Sequence, residues 1–218
     1  LLIFIDWFYP AFKAGGPLKS INTLIANLNS DFDFLLITSN RDLDGDTIEV
    51  TSNEIIEKLD YKIIYLERVM QNKKVWLSIY DEFLPDWIYF NSLYSVNFTL
   101  KPYFLFRNKE VRKMIAPRGM LGEGSLAIKP TKKKLFLRIA KNFLFDRRLY
   151  WHATTIAEKH QIKKKIGLKS KVRYAQNLSS GINSRFTYIK QSASLNLVFL
   201  SRISCIKNLD WLLKLLLS

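Results

Sequence analysis

Short apolar runs recur along this chain, and the stretches between them carry hydrophobic residues at helical spacing. No other feature limits the folds open to the chain as strongly. The runs cover residues 1–5, 34–38, 61–66, 87–90, 150–153 and 195–201, and further strands are expected at 111–116 and 171–176. Runs that are apolar on successive residues suit strands buried on both faces, as in parallel sheets covered by helices. Helical spacing is clear over 20–29, where Ile21, Leu24, Ile25 and Leu28 share a face, and over 72–83, where Val75, Trp76, Ile79 and Phe83 do. Further helices are expected at 96–107, 131–148, 155–166 and from 207 onward. Strand and helix alternating in this way predict an α/β chain with a doubly wound parallel sheet of the Rossmann-like kind. A polar, turn-rich segment at 179–194 divides it. Residues 1–178 form the first domain in this reading, and 195–218 supply the leading strand and helix of a second Rossmann-like domain.

The first unit has the most telling junction. The run LLIFI passes through a turn with Pro10 to Gly15, Gly16 and Pro17, and a helix follows. Two glycines remove the side chains that keep a ligand from the backbone, and proline fits the first helical turn. A helix N-terminus is then aimed at the carboxyl edge of the sheet, where open α/β sheets bind phosphates. Gly15 and Gly16 are therefore candidate phosphate-binding residues, the alternative being a plain strand-to-helix turn. The spacing matches neither G-x-G-x-x-G nor a P-loop.

At 218 residues and 48% hydrophobic, the chain can bury a sizeable core. No run reaches the roughly 18 apolar residues of a membrane span, and the first residues lack the basic region of a signal peptide. A cytoplasmic protein is the expectation. The chain starts inside an apparent strand and stops inside an apparent helix, so a piece of a longer protein is expected. One cysteine, Cys205, excludes an internal disulfide, and with two histidines it makes a structural zinc site a poor fit; no metal is expected. The charge is split. Residues 1–100 hold 8 Lys/Arg against 14 Asp/Glu, and residues 101–218 hold 26 against 5. So basic a second half calls for an anionic partner such as a phospholipid surface, a phosphorylated ligand or a nucleic acid. The helix expected at 131–148 is basic and amphipathic, which fits either a solvated edge or the surface of a membrane.

Several polar residues stand at expected strand ends. Asp6, after the first strand, could bind ligand hydroxyls or loop amides. Asn91 ends the fourth strand. Arg118, in PRGML, could clamp a phosphate over a cleft or tie its loop to a helix end. His152 reads as a packed residue more readily than as a base, and Glu158 fits a helix cap as well as an active role. The acidic DLDGD at 42–46 lacks the rest of a calcium loop and reads as a solvated turn.

Four motifs then fall in one order: Gly15-Gly16-Pro17, APRGML at 116–121, His152-Ala153-Thr154 with Glu158, and Ser201-Arg202 with Lys207-Asn208. Over nearly the whole chain this order resembles the GT-B retaining glycosyltransferases of family 4. The resemblance implies an acceptor-binding N-terminal domain, a C-terminal domain for a nucleotide-diphosphate sugar, and transfer between them without a resident cofactor or metal. It implies that Arg202 and Lys207 neutralise the departing diphosphate as catalytic residues, that Gly15, Gly16 and Arg118 face the donor or its phosphates, and that Asp6 and Asn91 face the acceptor. Asn91 stands where many relatives carry a histidine. The glutamate pair of the family would lie beyond Ser218, so this stretch is expected not to turn over alone. The implied role is building a cell-surface polysaccharide on a glycan or lipid-linked acceptor, at the inner face of the membrane, with anionic lipid as a partner and no nucleic acid. The alternatives are a basic nucleic-acid-binding module and a non-catalytic partner of another transferase.

Overall fold

The computed structural model describes residues 1–128, 130–140, 145, 148–167, 169–179, 197–200, 203 and 207–217. The chain divides into two compact units, Leu1–Ser179 and Ser180–Ser218.

The first unit is built on one eight-stranded sheet among the described residues. In chain order its strands are β1 (Leu2–Phe4), β2 (Leu35–Ser39), β3 (Ile55–Glu57), β4 (Lys62–Leu66), β5 (Trp87–Phe90), β6 (Arg112–Ile115), β7 (Tyr150–Ala153) and β8 (Lys171–Tyr174). Across the sheet the order is β3-β4-β2-β1-β5-β6-β7-β8, and every pair is parallel except β3 with β4. The chain works outward from β1 in one direction, then crosses back to β5 and works outward in the other. That reversal makes the gap between the ends of β1 and β5 the switch point, where open α/β sheets hold ligands.

Alternate side chains separate into two cores. Leu2, Phe4, Leu35, Ile37, Ile88, Phe90, Ile115 and Trp151 face α2 (Lys73–Phe83), α3 (Lys101–Phe106), α5 (Pro130–Ile139) and α6 (Ile156–Lys165). Ile3, Ile5, Leu36 and Ile63 face α1 (Gly16–Leu28) through Ile21 and Ile25. Leu2, Ile3 and Phe4 are all fully buried, each stabilising by about 1.5–3 kcal/mol, which is why β1 reads as a continuous apolar run and not as an alternation.

The strand and helix pattern expected for residues 1–178 forms with three differences. Residues 96–107 are not one regular helix. A π turn at Val96–Leu100 precedes α3, with Leu100 N–H bonded to Ser95 O and Lys101 N–H to Val96 O. Pro102 has no N–H to give the preceding turn, and the wider turn accommodates it. The short strand β3 was hidden by its acidic, half-exposed sequence. It pairs antiparallel at the edge, in a β2-to-β4 crossover that carries no helix. A five-residue helix, α4 (Glu123–Ala127), follows the PRGML loop. The helix expected at 131–148 is formed as α5 up to Ile139, and residues 141–144 and 146–147 lie outside the described residues.

In the second unit, the buried strand expected at 195–201 is not formed over its described part. Leu197, Val198, Phe199 and Leu200 are coil, and Val198 and Leu200 are 88% and 95% exposed. A parallel strand needs neighbours to pair with, and this unit holds no strand among its described residues. The helix expected from 207 onward is α7 (Leu209–Leu217). Most of the expected linker, 180–194, lies outside the described residues.

Candidate functional site

The carboxyl edge of the sheet gathers the polar residues singled out in the first unit. Register pairs Phe4 with both Ile37 and Phe90, so Asp6 and Asn91 leave adjacent strands at the switch point. Asn91 N–H donates to Phe4 O at 2.9 Å, and Ser39 N–H donates to Asp6 O at 3.3 Å.

Asp6 sits in a crevice of about 400 Å³ whose wall also includes Trp7, Arg41, Arg68, Gln71 and Ser95. Ser95 Oγ donates to Asp6 Oδ1 at 2.5 Å and accepts from Phe98 N–H at 3.0 Å, so the cap of the π turn also fixes the carboxyl group. Burial raises the pKa of Asp6 above the ordinary carboxylate value of 3.8, and the Ser95 hydrogen bond offsets this in part. A carboxylate kept in a half-dry crevice is a strong acceptor for ligand hydroxyls. Sequence reasoning missed Ser95; a serine directly before an expected helix start was the signal that could have found it.

Gly15 caps α1 with φ 74° and ψ −123°, a conformation that only glycine adopts readily, and Pro17 follows in the first turn. With no capping side chain, the first turn of α1 presents bare backbone. A Cβ on Gly16 would meet nothing within 4 Å, so open space lies beside it. The loop leading to Gly15 is pinned by the segment expected as a solvated turn. Asp42 is buried and accepts from Phe12 N–H at 3.1 Å and Lys13 N–H at 3.3 Å, while Lys13 pairs with Asp44 and Asp46. DLDGD is thus a clamp on the glycine loop, because the backbone amides of 12–13 have no other strand or helix to bond.

A second network lies at the ends of β5 to β8. His152 Nε2–H donates to Ala175 O at 2.9 Å, which leaves Nδ1 to accept from the Tyr89 hydroxyl at 2.7 Å. Arg118 Nη2 donates to that hydroxyl at 3.1 Å, its Nε to Asn91 Oδ1 at 2.6 Å and its Nη1 to Asn177 Oδ1 at 2.6 Å. Burial pushes the Tyr89 hydroxyl up to about 12 and lowers the His152 pKa from 6.5. His152 therefore stays neutral near pH 7 and orients Tyr89, the packed role that its place in an apolar strand suggested. Glu158 holds the same loop. Its Oε1 accepts from Gly119 N–H at 2.7 Å, and its Oε2 from Thr154 N–H at 2.7 Å and Thr154 Oγ1 at 2.8 Å. With Thr155 Oγ1 accepting from Glu158 N–H at 3.0 Å, this is the capping role with a second duty, fastening the Arg118 loop.

Arg118 itself is bonded only to neutral acceptors, and no carboxylate lies within 4 Å of it among the described residues. Beside it, Asn91 Nδ2 is buried without a partner among the described residues, and the Arg118 bond to Oδ1 fixes which end of the amide is the donor. A cation with no carboxylate in direct contact and an unused donor in one place suit an anion. Arg118 is fastened in place by the side chains of Asn91, Tyr89 and Asn177 and not by a helix C-terminus.

Of the remaining candidates, Arg202 lies outside the described residues, and Lys207 is exposed in the turn before α7 in the second unit. Among the described residues no group of three or more His, Cys, Asp or Glu could hold a metal ion, and no helix is long and apolar enough to cross a membrane. No protein-family model matches this sequence, and no curated protein matches it.

Proposed function

We propose that this chain is the acceptor-binding part of a GT-B retaining glycosyltransferase, which moves a sugar from a nucleotide-diphosphate sugar to a glycan or lipid-linked acceptor in cell-surface polysaccharide synthesis. The observation that carries the reading is the pairing of Arg118, which makes no ion pair among the described residues, with the unused Asn91 NH2 at the carboxyl edge, where the sheet order reverses. Departure of a sugar from a diphosphate builds negative charge, and fixed cations and N–H donors in a partly dry cleft stabilise it. In this reading Asp6 binds acceptor hydroxyls, Asn91 stands between the acceptor and the Arg118 anion site, and Gly15, Gly16 and Arg118 face phosphate or donor. Arg202 and Lys207 belong to the donor half by resemblance of motif order. The outer face of α5, with Lys132, Lys134 and Arg138 beside the exposed Leu135 and Ile139, is the proposed contact with an anionic membrane at its inner face.

Isothermal titration with a panel of nucleotide-diphosphate sugars, sugar phosphates and neutral oligosaccharides tests the proposal. A phosphorylated sugar should bind, and Arg118→Ala should weaken it at least tenfold. Affinity equal for phosphorylated and neutral sugars, or untouched by Arg118→Ala, contradicts it.

A nucleic-acid-binding role is the second reading, favoured by one surface. Trp87 and Tyr150 are half-buried, with ring centroids 5.3 Å apart; Arg112 stands 4.9 Å from the Trp87 ring, and Lys171 and Arg173 stand 5.3 and 5.8 Å from the Tyr150 ring. Rings and cations interleaved on one sheet face are the chemistry of single-strand binding. Saturable, strongly salt-dependent binding of single-stranded RNA, lost in an Arg112→Glu/Arg173→Glu variant, would favour it over sugar transfer.

A further inference from the structure

Beyond the crevice at Asp6, a cleft of about 650 Å³ runs between α2 and α3, walled by Gln71, Lys73, Trp76, Lys101, Phe104 and Leu105. Its chemistry is one-sided. Trp76 is 2% exposed, and its indole N–H is buried with no acceptor among the described residues. That group only donates, and a buried donor left unpaired is costly unless something outside the chain completes it. Lys73 has no hydrogen-bond or ion-pair partner among the described residues, and Lys101 donates only to the neutral Asn97 Oδ1 at 2.9 Å. Among the described residues no carboxylate lines the cleft. The remaining wall is apolar, with the Phe104 ring 40% exposed and Leu105 half-buried beside it.

From this lining we infer that the cleft binds an amphipathic oxyanion: a phosphate monoester or diester whose oxygens meet Lys73, Lys101 and the Trp76 N–H, and whose hydrocarbon lies along Phe104 and Leu105. The cations alone would suit any anion, but the apolar wall gives nothing to a free inorganic ion. A hydrocarbon alone would leave the indole N–H and both charges unanswered. The cleft borders the crevice: Gln71 lines both, and its side-chain oxygen accepts at 2.9 Å from Nδ2 of Asn97 in the crevice wall. Binding in the cleft does not depend on the activity proposed above. Only the ligand's role rests on that reading, in which it is the phosphate and first carbons of a lipid-linked acceptor whose sugar reaches Asp6.

The test is the indole 15N–1H resonance of Trp76, identified by its loss in Trp76→Phe, titrated in the intact chain with octyl phosphate below its micelle concentration. A saturable shift is expected, with inorganic phosphate at least tenfold weaker and octyl glucoside without effect. Lys73→Gln/Lys101→Gln, exposed substitutions that leave the circular dichroism spectrum unchanged, should weaken octyl phosphate at least tenfold. An unmoved indole resonance overturns the site. Octyl glucoside binding as well as octyl phosphate reduces it to an apolar groove, and inorganic phosphate binding equally reduces it to a plain anion site; either overturns the amphipathic ligand. Affinity unchanged in the double variant overturns the role of the lysines. Because the readout is local to Trp76, failure here leaves titrations of the Arg118 site standing.

Discussion

Replacing Glu158 by alanine should do more damage than the loss of one surface carboxylate. The residue is 3% exposed, and its two oxygens accept the Gly119 and Thr154 amides and the Thr154 hydroxyl at 2.7–2.8 Å. Alanine leaves two backbone donors without acceptors, at about 1–3 kcal/mol each where water cannot replace the carboxylate. Allowing for some water entering the emptied space, the expected loss is about 3 kcal/mol. Glu158→Gln keeps one acceptor but turns an NH2 toward an N–H donor, so about half that loss is expected. Urea unfolding followed by far-ultraviolet circular dichroism measures both, and an unchanged slope with denaturant would show that the midpoint shift reports stability. A further signature separates a loop fastener from a plain helix cap. Gly119 neighbours Arg118, so the effects of Glu158→Ala and Arg118→Ala should be non-additive in a double-mutant cycle. A loss below about 1 kcal/mol for Glu158→Ala, or strict additivity with Arg118→Ala, refutes the reasoning.

Three further outcomes are expected. Gly15→Ala should cost about 1–3 kcal/mol in the same unfolding assay, since φ 74° with ψ −123° strains any residue carrying a Cβ; a neutral effect would mean that the loop relaxes freely. Asp6→Asn should stabilise the protein at neutral pH, because burial raises the folded pKa of Asp6 and penalises the charged form. The gain should fade as pH drops through the raised value toward 3.8, where the wild-type carboxyl is also neutral, and a gain independent of pH would contradict the assignment. For His152 the sign is opposite. Its folded pKa lies below 6.5, so the unfolded chain takes up the proton first. Its contribution to stability is fully present above 6.5 and declines as pH falls from there toward the lowered folded value, a decline that His152→Gln should remove.

Most of the sheet was legible in the sequence because its strands are buried on both faces and so appear as unbroken apolar runs, as at Leu2–Phe4 and Leu35–Ser39. The strand Ile55–Glu57 was not, since an edge strand with one half-buried residue among charged neighbours carries no such run. The π turn at Val96–Leu100 escaped because hydrophobic spacing is nearly the same in a regular and a widened turn. Within the site, strand-end position picked out Asp6, Asn91 and Arg118. Which partners they take was not legible, because Ser95, Tyr89 and Asn177 reach them across 29 to 89 residues of chain and only the fold brings them near. Acidic composition suggested solvent for Asp42, whereas the unpaired amides of residues 12–13 drew it into the interior.

The most direct measurement is the Arg118 Nε–H signal in a 15N-labelled chain, which the 2.6 Å bond to Asn91 Oδ1 should protect from exchange enough to be seen. The account predicts a saturable shift on titration with a sugar phosphate or nucleotide-diphosphate sugar, abolished by Asn91→Ala. A signal indifferent to every phosphorylated sugar, yet displaced by single-stranded RNA, would contradict it.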